Sequence, residues 1–222
     1  MRNRARSVDR ARGTGYTNSM VQGSAQLGPK AVIFDLDGTL TVPYFDFDAI
    51  RREIGLPTTP RTPILEAMET MTPAERDRCE VILIKYEEKA ARESELWDDT
   101  HQVLATIRRA GIPLGLLTRN SRRSVDMVLA KHGLAFDCIH TREDGPIKPS
   151  PEPVLTICRT LAVEPTKAWV VGDYLFDLMS GNSAGATTVL MTGNGTVPDF
   201  ADQADHVIRR LSELLPLLSL NS

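Results

Sequence analysis

Short apolar runs that stop abruptly at a polar residue alternate, along most of this chain, with stretches whose apolar positions recur at helical spacing. The first run, Lys30-Ala31-Val32-Ile33-Phe34, is closed by Asp35-Leu36-Asp37-Gly38-Thr39-Leu40. A second, Ile112 to Leu117, ends at Thr118-Arg119-Asn120-Ser121, and a third, Lys167 to Val171, ends in Gly172-Asp173-Tyr174-Leu175-Phe176-Asp177. From Asp98 onward the pattern predicts helices near 100–110, 121–132, 151–162 and 174–184, separated by strands near 112–117, 136–140, 168–172 and 187–191. A strand near 206–208 and a helix over 211–218 complete it. This alternation predicts an α/β fold, a Rossmann-like parallel sheet flanked by helices.

Between the first and second runs the character is helical. Asp46 or Asp48 can cap a short helix through Ile50 to Ile54, which Gly55 and Pro57 would stop. Another short helix is expected over Thr62 to Met71. Thr72-Pro73-Ala74-Glu75 then forms a capping box with proline at the first helical position. The helix it starts should run to about Ser94, with Cys79, Leu83, Tyr86 and Ala90 on one stripe. Residues 42–96 therefore read as an inserted, small α-helical unit, and residues 30–41 and 97–222 as the core into which it is inserted.

The polar ends of the strands carry the candidate chemistry. Asp35 and Asp37 are spaced i, i+2, so one strand end can present two carboxylates to one point. Such a pair suits a hard cation, or a nucleophile beside a proton donor. Lys148 sits in the proline-rich Gly145-Pro146-Ile147-Lys148-Pro149-Ser150-Pro151, which cannot be a helix interior. In an open parallel sheet, ligands bind outside the carboxyl ends of the strands, so these segments can converge on one site. Taken one by one, Thr118 reads as a helix cap, Lys148 as a solvated charge and Asp177 as a surface acid. Their occurrence together and in order reverses that. His101 and His140 read as surface or core histidines, and Trp97 and Trp169 as packing.

In these four motifs, Asp35 to Thr39, Thr118, Lys148 and Gly172 to Asp177, the chain resembles the haloacid dehalogenase-like hydrolases. It is most similar to their phosphatase branch with a small helical cap, which includes the phosphoglycolate phosphatases. The resemblance implies a Mg²⁺-dependent phosphatase acting on a small phosphorylated metabolite, phosphoglycolate-like or a sugar phosphate, through an aspartyl-phosphate. It implies Asp35 as nucleophile, Asp37 as general acid and base, and Thr118 and Lys148 against the phosphoryl group; Arg119 and Asn120 follow Thr118 closely enough to touch the substrate. It places Mg²⁺ on the Asp35 side chain, the Asp37 carbonyl and Asp173, with Asp177 at or beside the metal. Residues 42–96 would be the cap, where Tyr44, Phe45, Phe47, Arg51, Arg52 and Arg61 are candidate leaving-group contacts. An acid at Asp37 argues against dehalogenation, because a departing halide needs no proton. A mutase of the β-phosphoglucomutase type and a non-catalytic binding or scaffold protein that keeps the fold are the alternatives.

Composition alters this picture in one place. The chain has 222 residues, 41% of them hydrophobic, and a net charge of −3. Residues 1–29 hold five arginines against Asp9 alone, a net of +4, which leaves −7 for the remainder. A body that acidic lacks a nucleic-acid footprint. The basic leader reads as a disordered tail, an appended segment or a start mis-assigned ahead of Met20, with an organellar transit peptide as the alternative. No apolar run has the length to cross a bilayer. Three cysteines without metal spacing point to a reducing compartment, and so to a cytoplasmic protein, monomer or homodimer.

Overall fold

A computed structural model describes residues 29–220. The basic leader thus lies, except for Pro29, outside the described residues. The chain runs β1 (Ala31–Phe34), α1 (Phe47–Ile54), α2 (Ile64–Glu69), α3 (Pro73–Glu93), α4 (Thr100–Arg109), β2 (Leu114–Leu117) and α5 (Arg122–His132). It continues with β3 (Cys138–His140), α6 (Glu152–Thr160), β4 (Ala168–Gly172), α7 (Leu175–Ala184), β5 (Thr187–Met191), β6 (His206–Ile208) and α8 (Leu214–Leu217). All six strands pair in parallel, in the order β3-β2-β1-β4-β5-β6.

The two faces of the sheet explain the unbroken apolar runs. Successive side chains of β1 point to opposite faces. Val32 and Phe34 join a core with Val103, Ile107, Val125 and Leu214, under α4, α5 and α8. Ile33 instead joins Val154, Ile157 and Val170, under α6 and α7. With helices on both sides, every residue of β1 and β2 is buried, as parallel sheets require.

Between β1 and β2, helices α1 to α3 enclose a third apolar cluster of Ile50, Ile64, Met68, Cys79 and Leu83. Asp46 caps α1 by accepting from the Ala49 N–H at 2.9 Å, and Gly55 ends it in the left-handed conformation. At the start of α3, Thr72 accepts from the Glu75 N–H while the Glu75 carboxylate accepts from the Thr72 N–H at 2.9 Å. A cap of this kind contributes about 1 kcal/mol. The stripe on α3 has a charged member: Glu87, four residues after Leu83, is buried as well.

Several elements are shorter than their sequence patterns. The helix expected over 62–71 spans only Ile64–Glu69, because Pro63 takes the N-cap position. β2 starts at Leu114, since Pro113 has no N–H to donate. The helix expected over 211–218 is a 3₁₀ turn, Leu211–Glu213, followed by the single turn of α8. The three cysteines are free thiols, and no helix among the described residues is long and apolar enough to cross a membrane.

Candidate active site

β1 and β4 are neighbours in space but not in sequence, which makes their carboxyl ends the point where the strand order reverses. Ligands of open α/β sheets bind at that crevice. The Asp35 N–H donates to the Val171 carbonyl at 2.9 Å, so the residue still follows the register of β4 as it leaves the sheet. Beyond it the chain turns back at once, with the N–H groups of Leu40 and Thr41 both donating to the Leu36 carbonyl at 3.0 Å. Asp173 leaves β4 beside it, and Asp177 follows on the first turn of α7. Oxygen atoms of Asp35, Asp173 and Asp177 lie within 4.8 Å of one another.

Two glycines permit this convergence. A Cβ at Gly38, where φ is +85°, would lie 2.2 Å from Oδ2 of Asp173. One at Gly172 would lie 2.1 Å from Cγ of Asp177. Both separations are far inside van der Waals contact, so a side chain at either position would push the neighbouring carboxylate out of place.

Lys148 enters from the loop between β3 and α6. Its buried ammonium donates to carboxylate oxygens of Asp35 and Asp177 and to the Leu117 carbonyl at 3.0 Å. The second oxygen of Asp177 accepts from the Tyr174 N–H at 3.1 Å, so both of its oxygens are engaged. Thr118, at the end of β2, is buried, and its hydroxyl oxygen accepts from the Asn120 N–H at 3.2 Å. The Asn120 side-chain amide donates to Asp37 at 2.5 Å. The Arg119 guanidinium donates to the Lys148 carbonyl and to Glu66 on α2, each at 2.6 Å, and stacks on the Phe176 ring at 4.8 Å. The structure thus brings Asp35, Asp37, Thr118, Arg119, Asn120, Lys148, Asp173 and Asp177 together around one cavity of about 560 Å³.

Electrostatics mark the site as short of positive charge. Burial pushes the Asp35 carboxyl up to about 7, against the pull of Lys148, and Asp177 and Asp37 raise it further. Burial likewise lifts Asp37 to about 6, opposed by the hydrogen bond from Asn120. Asp173 is raised well above the usual carboxylate range by burial and then by Asp35 and Asp177. Burial works against the charge of Lys148, but Asp177 and Asp35 outweigh it and raise its pKa, so it stays protonated.

On the other side, the cavity is walled by the helical insertion. Tyr44, Phe45, Phe47, Arg51 and Arg61 line it, whereas Arg52 does not: it lies on the exposed side of α1, 3.9 Å from Asp46. Sequence reasoning missed Glu66, Glu87 and Arg142. Arg142 follows β3 and pairs with Glu80 at 2.5 Å and with Glu87 on α3, while Glu87 also accepts from the Ser121 N–H at 3.0 Å. The available signal was a glutamate set four residues from Leu83 on the apolar stripe of α3.

The model of the haloacid dehalogenase-like hydrolase family matches residues 29–185. This chain belongs to that family. It is a hydrolytic enzyme, and its relatives cover most of its length. A haloacid dehalogenase-like hydrolase domain-containing protein of Arabidopsis thaliana is 31% identical, over 86% of this chain and 84% of the relative. The pyrophosphatase PpaX of Bacillus velezensis is 30% identical, over 83% of this chain and 94% of that protein. Among solved structures, a haloacid dehalogenase-family phosphatase from Thermococcus onnurineus is 29% identical with a TM-score of 0.62, covering 85% of this chain and 97% of its own.

Proposed function

We propose that this hydrolase is a Mg²⁺-dependent phosphatase that cleaves a small phosphate monoester through an aspartyl-phosphate on Asp35. The observation that carries the reading is the cluster of Asp35, Asp173 and Asp177 facing Lys148 at the carboxyl ends of β1 and β4. An oxygen-only donor set with raised carboxylate pKa values fits a hard divalent cation. Asp35, the Asp37 carbonyl and Asp173 would hold it, with Asp177 beside them anchoring Lys148. When bound, Mg²⁺ supplies positive charge against the phosphoryl oxygens.

In the first step a carboxylate oxygen of Asp35 attacks phosphorus, and the bond from phosphorus to the ester oxygen breaks. Asp37 gives its proton to the departing alkoxide; a pKa lifted to about 6 keeps a useful protonated fraction near neutrality. In the second step the Asp37 carboxylate takes a proton from water, whose oxygen attacks phosphorus. The bond from phosphorus to Asp35 breaks and inorganic phosphate leaves. Lys148 and the Thr118 hydroxyl stabilise the phosphoryl oxygens, charge placed in advance where charge develops. Arg119 and Asn120 act by position, one holding the Lys148 loop and the other aiming Asp37.

Residues 42–96 form the cap in this reading and supply the wall against the leaving group. The test is phosphate release from a panel of phosphorylated metabolites by purified protein, with Mg²⁺ and after chelation. Release that requires Mg²⁺ supports the proposal, and an absence of release from the whole panel refutes it.

A further inference from the structure

The cavity in front of Asp35 has walls ill-matched to a charged leaving group. Of the chain's twelve aromatic residues (two Trp, four Tyr, six Phe), five line it: Tyr44, Phe45, Phe47, Tyr174 and Phe176. They come from both sides. Phe45 and Phe47 belong to the insertion and stack on each other with centroids 5.4 Å apart. Tyr174 and Phe176 belong to the loop after β4 and the start of α7, and meet edge to face at 5.1 Å. Phe47 and Tyr174 are 55% and 53% exposed, so ring surface remains open on each wall.

The cations of the same cavity are all committed to protein groups. Arg51 donates to the Thr62 carbonyl at 3.3 Å and pairs with Asp48, which also takes Arg61 at 2.5 Å. Arg119 is held by Glu66, by the Lys148 carbonyl and by the face of Phe176. Lys148 is held by Asp35 and Asp177, at the phosphoryl end. A carboxylate on the leaving group that took Lys148 or Arg119 would displace Asp35, Asp177 or Glu66 and leave that acid without its partner, which is costly in a partly buried site. Only the exposed Arg61 could turn away without stranding an acid, since Asp48 would keep Arg51. An uncharged ring would displace none of them. It would also cover aromatic surface that is otherwise open to water.

On the phosphatase reading above, we propose that the phosphate ester carries an uncharged, flat ring system on its leaving alcohol, the chemistry of a nucleoside monophosphate. The ring lies against Phe47 and Tyr174 while the phosphate meets Asp35 and Lys148. Stacking a base on one aromatic side chain is worth roughly tenfold or more in binding.

The experiment measures kcat/KM for nucleoside 5′-monophosphates, ribose 5-phosphate and 2-phosphoglycolate with Mg²⁺, in wild type, Phe47→Ala and Phe47→Trp. Ribose 5-phosphate keeps the sugar and removes the ring; phosphoglycolate replaces both with a carboxylate. The expected result is a preference of at least about tenfold for a nucleotide over ribose 5-phosphate, with phosphoglycolate poorer still. In Phe47→Ala the ratio of nucleotide to ribose 5-phosphate collapses towards one, and in Phe47→Trp it is retained. Equal or better use of ribose 5-phosphate or phosphoglycolate by the wild type, or an unchanged ratio in Phe47→Ala, overturns the ring proposal and leaves the phosphatase reading standing. No phosphate release from any of the three overturns the ring proposal, and the phosphatase reading falls with it only if the whole metabolite panel is refused as well.

Discussion

The missing side chain of Gly38 is what lets the Asp173 carboxylate close on the loop that carries Asp35 and Asp37. A Cβ there would stand 2.2 Å from Oδ2 of Asp173 and would have to be held at φ +85°. Gly38→Ala should therefore fold and yet push Asp173 away from Asp35. Misplacement of a catalytic group by about 1 Å costs on the order of 10²-fold. A fall of that size in kcat, with circular dichroism unchanged, is the expected outcome; a variant within about twofold of wild type would mean the loop has slack that the geometry does not suggest.

Asp35→Asn should abolish turnover while leaving the protein folded, because Lys148 keeps Asp177 as its counter-ion. Removal of a covalent nucleophile costs on the order of 10³-fold or more. Steady-state phosphate release is the measurement. Retention of more than about a tenth of kcat by clean mutant protein would rule out Asp35 as nucleophile.

Metal identity should matter as much as metal presence. Chelation should stop turnover and Mg²⁺ should restore it, whereas Ca²⁺ should compete and inhibit. Ca²⁺ takes longer bonds and more oxygen ligands, which would draw Asp35 into coordination and away from phosphorus. Full activity with Ca²⁺ alone would contradict this.

The crowded carboxylates also set a pH dependence of stability in metal-free protein. The Asp173 carboxyl is raised well above the ordinary carboxylate value of 3.8, by burial first and then by Asp35 and Asp177. As pH rises above that value, the unfolded chain loses the proton before the folded one, so the folded state binds more protons and stability falls with pH. Asp173→Asn removes the group and its penalty. In chelator, the variant should melt at a higher temperature than wild type at pH 7.5, and the gap should close as pH falls towards 4. The reverse order of melting temperatures would show that Asp173 is stabilised by a partner rather than strained by its neighbours.

Much of this site was legible because its residues end strands. Asp35, Thr118 and Asp173 stop apolar runs, and a parallel sheet brings such stops to one edge; only the pairing of β1 with β4 had to be supplied by the fold. The capping box at Thr72 was equally local. What the sequence hid is interaction at long separation. Arg119 lies beside a motif threonine and looks like a substrate contact, but its partner Glu66 is fifty-three residues away on α2. Arg51 and Arg61 look like free cap cations until the fold places Asp48 between them. The Arg119–Glu66 pairing depends on how the insertion packs against the core, whereas Arg51 meets Asp48 at i, i+3 spacing within α1 and only Arg61 reaches it from the loop that follows.

The most buried of these hidden links joins Arg142 to Glu87, and it yields the last prediction. Both side chains are less than a tenth exposed, at 8% and 7%. Glu87 also accepts from the Ser121 N–H, so one carboxylate ties α3, the start of α5 and the loop after β3. Removing one partner of a buried pair strands the other charge, at a cost of about 3–5 kcal/mol. Arg142→Ala should lose stability on that scale in urea unfolding. Adding Glu87→Gln, which removes the stranded charge and can still accept from Ser121, should recover part of the loss. Ser121 lies three residues after Thr118, so the single variant should also lower kcat several-fold by loosening that loop. If Glu87→Gln worsens the Arg142→Ala protein instead, the carboxylate has enough hydrogen bonds without Arg142, and the cost of a stranded charge is not what holds α3 to the core.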